Sequence, residues 1–327
     1  MAPLNSYINN IFSITQMKVI IIGANSFLGR ALSAHFYHRG DEVVTIARRR
    51  TGCSPYAKFV AWDGVTLAGW ADELNHAQAV INLAGRSVNC RYNEQNKAEI
   101  LESRVQTTRL IGRAIAQVTH PPEVWLNSST ATIYRHREDD GENHPHTEAS
   151  GEIGEDFSMN VATEWERAFQ QSEVAVRKVA LRTAIVLGEE QGSVFDVLSA
   201  LTRKGLGGTM GGGRQMFSWI HIGDFCRAVH HCIERTTLEG SINIVSPNAE
   251  SNQALMASLR KVWGVKLGLP ATRWMLRVGA FFMRTETELV LKSRWVSPER
   301  LIQDGFNFQY HSLEQALQSL KERIRDK

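Results

Sequence analysis

The residues best able to do chemistry begin at Val19 to Gly29, which reads VIIIGANSFLG. Four aliphatics, Val19 to Ile22, predict a strand buried on both faces, and Gly23 and Gly29 then bracket a tight turn into a helical pattern. A helix start presents unpaired N–H groups and the positive end of the peptide dipole, so this turn is a seat for a pyrophosphate. Gly23 would permit the turn, and Gly29 would let the helix pack close to the sheet. Asn25, Ser26, Phe27 and Leu28 lie between them and complete the candidates for phosphate contact. On spacing alone, an ordinary strand-to-helix turn is the alternative.

A second group follows the next strand, Glu42 to Ala47, which closes a βαβ unit after a helix over Ala31 to His38. Folds of this kind that bind NAD carry an acid about 20 residues past the glycine turn, on the ribose 2′-OH. Here Ala47 is followed by Arg48, Arg49 and Arg50. An acid would repel a 2′-phosphate, whereas Arg48 or Arg49 would grip it with a charge-assisted fork, so the stretch predicts NADP. A solvated basic turn is the competing reading.

Further candidates stand at strand ends. Asp63 closes FVAWD (Phe59 to Asp63) where such folds meet the adenine edge, and Ala79 to Leu83 runs into Ala84 and Gly85. Small residues there leave room for a ligand at the carboxyl edge of the sheet, which adds Leu83, Ala84 and Gly85 to the cofactor set. The strand Val124 to Asn127 delivers Ser128, Ser129 and Thr130, followed by Tyr134. Gly205 to Gly213, followed by Arg214 and Gln215, is a loop able to wrap phosphate with backbone donors or to serve as a surface connection. His221 is a lone histidine in the apolar stretch FSWIHIGD (Phe217 to Asp224), a setting more often structural than catalytic.

The elements that must position these residues are those of a soluble α/β chain. Its 327 residues are 43% hydrophobic with a net charge of +3, enough for one large or two modest domains. Basic residues are scattered apart from Arg48 to Arg50, so nucleic-acid binding has no compositional support. Cys53, Cys90, Cys226 and Cys232 show no metal-ligand spacing and read as reduced thiols in a cytoplasm. Met1 to Gln16 has no basic n-region or long apolar run and is expected to be a dispensable, disordered extension. No apolar run reaches membrane-spanning length; Trp274 to Met283, the nearest, is interrupted by Arg277 and reads as a packed helix.

VIIIGANSFLGR, VINLAG, SSTATIY (Ser128 to Tyr134) and FSWIHIGD, in that order, resemble an extended short-chain dehydrogenase/reductase of the nucleoside-diphosphate-sugar epimerase type. RYNEQNKAEILESRV (Arg91 to Val105) and a C-terminal segment from about Leu269 to Leu320 are similar to its atypical epimerase-like branch. The resemblance covers nearly everything after Met17. It implies a Rossmann-like doubly wound parallel sheet over 17–245, with 190–218 on the substrate side, and a smaller, mostly helical C-terminal substrate domain over 246–327. It places Thr130 as the hydroxyl that orients a substrate carbonyl or carbinol and Arg182 near the nicotinamide side; Ser128 joins the cofactor candidates, and Arg91, Arg214, Gln215 and His221 are the substrate-side candidates. A homodimer is the assembly this fold suggests.

Two departures bear on the chemistry. The family turn has three glycines, GxxGxxG, and Ser26 takes the middle place. The family also uses a YxxxK helix whose Tyr relays a proton while the Lys lowers its pKa. In the matching helix, Asp156 to Gln170, Phe157 or Ser158 stands for Tyr and Val161 or Ala162 for Lys. No lysine occurs between Lys97 and Lys178. Tyr134 and Tyr92 are the nearest candidates for a substitute acid. The sequence therefore predicts an NADP-dependent oxidoreductase or epimerase-like enzyme without the usual relay, acting on a small or nucleotide-linked substrate. A non-catalytic NADP(H) sensor is the leading rival, and an RNA- or protein-binding scaffold is a weaker one.

Overall fold

The computed structural model describes residues 16–136, 144–276 and 291–325. In chain order its strands are β1 (Lys18–Ile22), β2 (Glu42–Ala47), β3 (Lys58–Ala61), β4 (Ala79–Asn82), β5 (Val124–Thr130), β6 (Arg177–Thr183), β7 (Ile185–Leu187), β8 (Met216–Phe217), β9 (Trp219–His221), β10 (Gly240–Ile244) and β11 (Glu250–Ser251). The α-helices are α1 (Phe27–His38), α2 (Glu94–Gln117), α3 (Phe157–Gln170), α4 (Val194–Leu201), α5 (Ile222–Glu234), α6 (Asn252–Trp263), α7 (Glu299–Gln303) and α8 (Leu313–Arg325).

Side-chain alternation along β1 sets the architecture. Val19 and Ile21 enter one core layer and Ile20 and Ile22 the other, all fully buried. A strand covered on both faces belongs in the middle of a parallel sheet. It lies between β2 and β4, with Ile22 opposite Ile46 on one side and Asn82 on the other. The sheet has seven parallel strands in the order β10-β6-β5-β4-β1-β2-β3. Helices α1 and α5 supply Leu32, Phe36, Phe225 and Val229 to the layer on one face. Helices α2 and α3 supply Leu110, Ile111 and Phe169 to the other. The strand order reverses between β1 and β4, which opens a crevice at their carboxyl ends.

Beyond the sheet, β7 pairs with β9, β8 pairs with β11, and α6 packs on α8. The glycine-rich stretch over 205–213 joins these elements. Gly208 and Gly211 donate to the carbonyls of Leu269 and Ala271, and the N–H groups of Leu269 and Ala271 return to Gly205 and Thr209. A Cβ on Gly208 would sit 2.4 Å from the Leu269 carbonyl carbon, so glycine is required for two backbones to touch. This corrects the expectation of a phosphate-wrapping loop: these donors are spent on the chain itself.

Other boundaries moved for local reasons. Helix α1 starts at Phe27, earlier than its apolar pattern suggests, because Ser26 caps it. Asp63 leaves the end of β3 to accept bonds from the Val65 and Thr66 N–H groups and the Thr66 hydroxyl. Phe306 to Tyr310 is held without strand pairing. The Asp224 carboxylate takes the N–H groups of Gln309 and Tyr310, and Phe306 packs edge-on against Phe308. Residues 1–15 of the expected N-terminal extension, and the expected helix beyond Leu276, lie outside the described residues. Among those described, no helix is long and apolar enough to cross a membrane.

Candidate functional site

The glycine turn closes over the neighbouring strand. Gly23 has φ +83°, and a Cβ there would lie 2.8 Å from the Ala84 nitrogen, so the turn and the end of β4 can touch only through glycine. Gly29 is equally constrained, with a Cβ falling 2.6 Å from the Ala24 Cα. Ser26 donates its N–H to the Gly23 carbonyl at 3.1 Å and accepts the Gly29 N–H on its hydroxyl at 3.1 Å. Its side chain therefore serves the helix, leaving the N–H groups of Phe27 and Leu28 as the donors of the first turn. The Phe27 ring points away, against Gly188. Arg30 fixes the turn from outside by donating to the Asn25 carbonyl at 2.6 Å and pairing with Glu190.

The crevice holds a cavity of about 690 Å³ lined by Gly23, Asn25, Ser26, Arg48, Asp63, Leu83, Ala84 and Gly85 among others. Arg48 is exposed on this wall, whereas Arg49 is not among its lining residues. Asp63 is a wall residue whose carboxylate is held below its usual pKa by the Thr66 hydroxyl and the Thr66 and Val65 amides. A buried polar knot fixes the β4 edge. Asn82 donates to Asn127 at 2.6 Å and accepts the Ala84 N–H at 3.0 Å, while Trp165 donates to Thr108 at 2.9 Å.

Leu83 and Gly85 also border a second, inner cavity of about 260 Å³, so the two cavities adjoin across these residues. Alternation along β5 aims the Ser129 hydroxyl away, where it donates to Glu166 at 2.5 Å. Thr130 and Ser128 line the inner cavity. The Thr130 hydroxyl accepts the Thr132 N–H at 3.1 Å and donates to the Thr132 hydroxyl at 3.0 Å. Helix α3, capped by Asp156, presents Phe157, Ser158, Val161 and Ala162 to this cavity, the positions that match the YxxxK pair. Tyr92 also lines it and packs edge-on against Phe157 at 4.9 Å.

Apart from residues of the glycine turn and Arg49, six expected site residues border neither cavity. Tyr134 is 1% exposed, its hydroxyl donating to Asn243 at 2.8 Å and accepting from Arg182 at 3.0 Å. Burial raises its pKa further from neutrality, so it is a core residue, not a cavity acid. Arg182 grips Glu166 through Nε and Nη2, both at 2.8 Å, a buried ion pair that takes it out of the cofactor wall. His221 is buried, caps α5 by accepting the Gly223 N–H at 3.0 Å, and lies 3.6 Å from the Tyr310 ring centre. Burial, with the Arg323 and Arg227 charges, pushes its pKa down to about 3. Arg91, Arg214 and Gln215 border neither cavity, and the Gln215 amide donates to the Met210 carbonyl.

The residue that sequence reasoning missed is Arg104, on α2 and on the inner wall. Its signal was its place in a buried stripe, four residues after Ile100 and four before Thr108. Among the described residues, no cluster of three or more His, Cys, Asp or Glu could hold a metal ion.

This sheet, with its glycine turn at the β1–β4 crevice, defines an α/β dinucleotide-fold protein of the extended short-chain dehydrogenase/reductase kind. The chain belongs to the NAD dependent epimerase/dehydratase family, whose profile matches residues 19–244, and a domain of unknown function, DUF1731, matches residues 271–320. Human epimerase family protein SDR39U1 is 29% identical over 307 residues, 93% of this chain and 99% of its own. Its crystal structure with NADPH superposes with a TM-score of 0.82, covering 94% of this chain and 99% of that one. Epimerase family protein YfhF of Bacillus subtilis is 31% identical, covering 93% of this chain and 98% of its own. A nucleoside-diphosphate sugar epimerase structure from Corynebacterium glutamicum is 28% identical with a TM-score of 0.73, covering 94% of this chain and 58% of that one.

Proposed function

We propose that the chain is an NADPH-dependent oxidoreductase or epimerase-like enzyme that works without a Tyr–Lys relay on a small or nucleotide-linked substrate. The observation that carries this reading is the pair of adjoining cavities, with the glycine turn and Arg48 on the outer one and Thr130 on the inner one. The first-turn amides of α1 would hold the pyrophosphate and Arg48 the 2′-phosphate. NADPH bound to the human relative supports that assignment, and the name of the Corynebacterium protein supports the nucleotide-linked end of the substrate range. When bound, the cofactor supplies hydride. Thr130 would orient a carbonyl or carbinol, and apolar Phe157, Val161 and Ala162 would exclude water. Tyr92 is the phenol on the cavity wall. Losing a positioned acid or base costs on the order of 10²- to 10⁴-fold.

Those same apolar positions on α3 favour a second reading, a protein that binds NADP(H) without turnover. Substrate-dependent oxidation of bound NADPH separates the two. The enzyme reading expects oxidation with some carbonyl substrate, little or no activity on ordinary UDP-sugars, and a strong loss in Thr130→Val with NADPH affinity kept. Full activity in Thr130→Val, or robust UDP-sugar epimerisation by the wild type, would contradict it.

A further inference from the structure

The inner cavity has a charge that the proposed chemistry does not use. Among the described residues its wall carries two guanidinium side chains, Arg104 and Arg294, and no carboxylate. Arg104 donates Nη1 to the carbonyls of Arg86 at 3.0 Å and Ile100 at 2.9 Å. Its guanidinium lies over the Trp165 ring, 5.0 Å from the centroid, and Gly85 leaves it room, since a Cβ there would come within 3.2 Å of Cζ. The side chain is thus held in place on several sides. Among the described residues, the protein bonds of Arg104 are both made through Nη1, and the ionisable neighbour acting on it is the Tyr92 phenol, not a carboxylate.

Arg182 shows what the Nε and Nη2 edge does when it is used in this same protein. There Nε and Nη2 take both oxygens of Glu166 in a planar fork. Arg104 lines the cavity with its two protein bonds made through Nη1, so Nε and Nη2 are not used in them. A guanidinium withdrawn from water without a counter-charge is costly, and burial lowers the Arg104 pKa to about 10. An arriving anion would remove that cost, and the fork matches a carboxylate.

The rest of the wall selects the body of that ligand. Leu83, Val88, Ile100, Phe157, Val161 and Trp165 make it largely apolar. We infer that the inner cavity binds a small carboxylate with an apolar or aromatic body, its carboxylate gripped by Arg104. Resting on the enzyme reading above, this ligand is the substrate, an oxo or hydroxy acid whose carbonyl or carbinol lies within reach of Thr130. A fully hydrated phosphate would find too few donors and too much apolar surface.

The test is calorimetric titration of the full chain, with and without NADPH, using benzoate, its neutral isostere benzamide, and inorganic phosphate. Benzoate is expected to bind at least tenfold more tightly than benzamide or phosphate. Arg104→Gln should erase that preference, while Arg104→Lys, which keeps the charge but loses the fork, should retain part of it. Equal binding of benzoate and benzamide by the wild type would overturn the proposal with no variant needed. Phosphate binding as tight as benzoate, or undiminished benzoate preference in a folded Arg104→Gln, would overturn it too. Failure of NADPH to bind while the apo protein still discriminates benzoate would refute the enzyme reading and leave the carboxylate site standing.

Discussion

At the residue scale, chemical type and side-chain direction have to be argued separately. Arg182 is a cation near the end of a central strand, the place where a cofactor contact is expected. The strand register points it at Glu166, and the pair is 11% and 6% exposed at the side chains. Removing one member of a buried ion pair strands the other charge, at a cost of about 3–5 kcal/mol. Arg182→Met should therefore lower the unfolding free energy by that order in urea titration while leaving NADPH affinity of the folded fraction unchanged. A selective loss of NADPH affinity with stability intact would return Arg182 to the cofactor wall. Tyr134 teaches the same lesson. A phenol four residues beyond Thr130 is legible in sequence, but the short 3₁₀ turn over Ala131–Ile133 that rotates it into the core is not.

At the scale of elements, the central strands were readable because burial on both faces leaves uninterrupted aliphatic runs. Val19 to Ile22 and Val179 to Leu181 are such runs, Val124 to Leu126 is an apolar run that includes Trp125, and each lies in the sheet. The glycine turn was equally plain, since only Gly23 and Gly29 tolerate the contacts made there. What was not readable depends on partners far away in sequence. The glycines over 205–213 look the same whether they wrap a phosphate or touch residues 268–271, and Asp224 gives no local sign that it will hold Gln309 and Tyr310. Arg104 was missed because a charged residue on a helix is ordinarily taken for solvated surface. Ser26 makes the element-scale prediction. Its hydroxyl caps α1, so Ser26→Ala should cost about 1 kcal/mol and Ser26→Gly only a few tenths, read from denaturation midpoints. An unchanged midpoint in Ser26→Ala would show that the cap contributes nothing.

At the scale of the whole molecule, burial sets how stability depends on pH. His221 has its pKa pushed to about 3, and His35 falls to about 4 through burial and the neighbouring His230 charge. Their unfolded value is near 6.5, so below it the unfolded chain binds more protons and stability falls with pH until the folded values are reached. His221 alone should lose about 1.4 kcal/mol per pH unit in that window, or about 2 kcal/mol between pH 7 and pH 5. His221→Asn keeps a capping oxygen and should flatten the slope; an unaltered slope would mean that this ring does not titrate on unfolding. The same seven-stranded sheet organises the crevice in which β1, β2 and β4 bring the glycine turn, Arg48 and Gly85 around one cavity. The central claim, that this crevice is built for NADPH, is tested most directly by calorimetric titration of NADPH and NADH into the wild type and Arg48→Asp. Wild-type protein should bind NADPH at least tenfold more tightly than NADH, and Arg48→Asp should lose most of that preference by weakening NADPH. Equal affinity for the two cofactors in the wild type, or an unchanged preference in the variant, would contradict it.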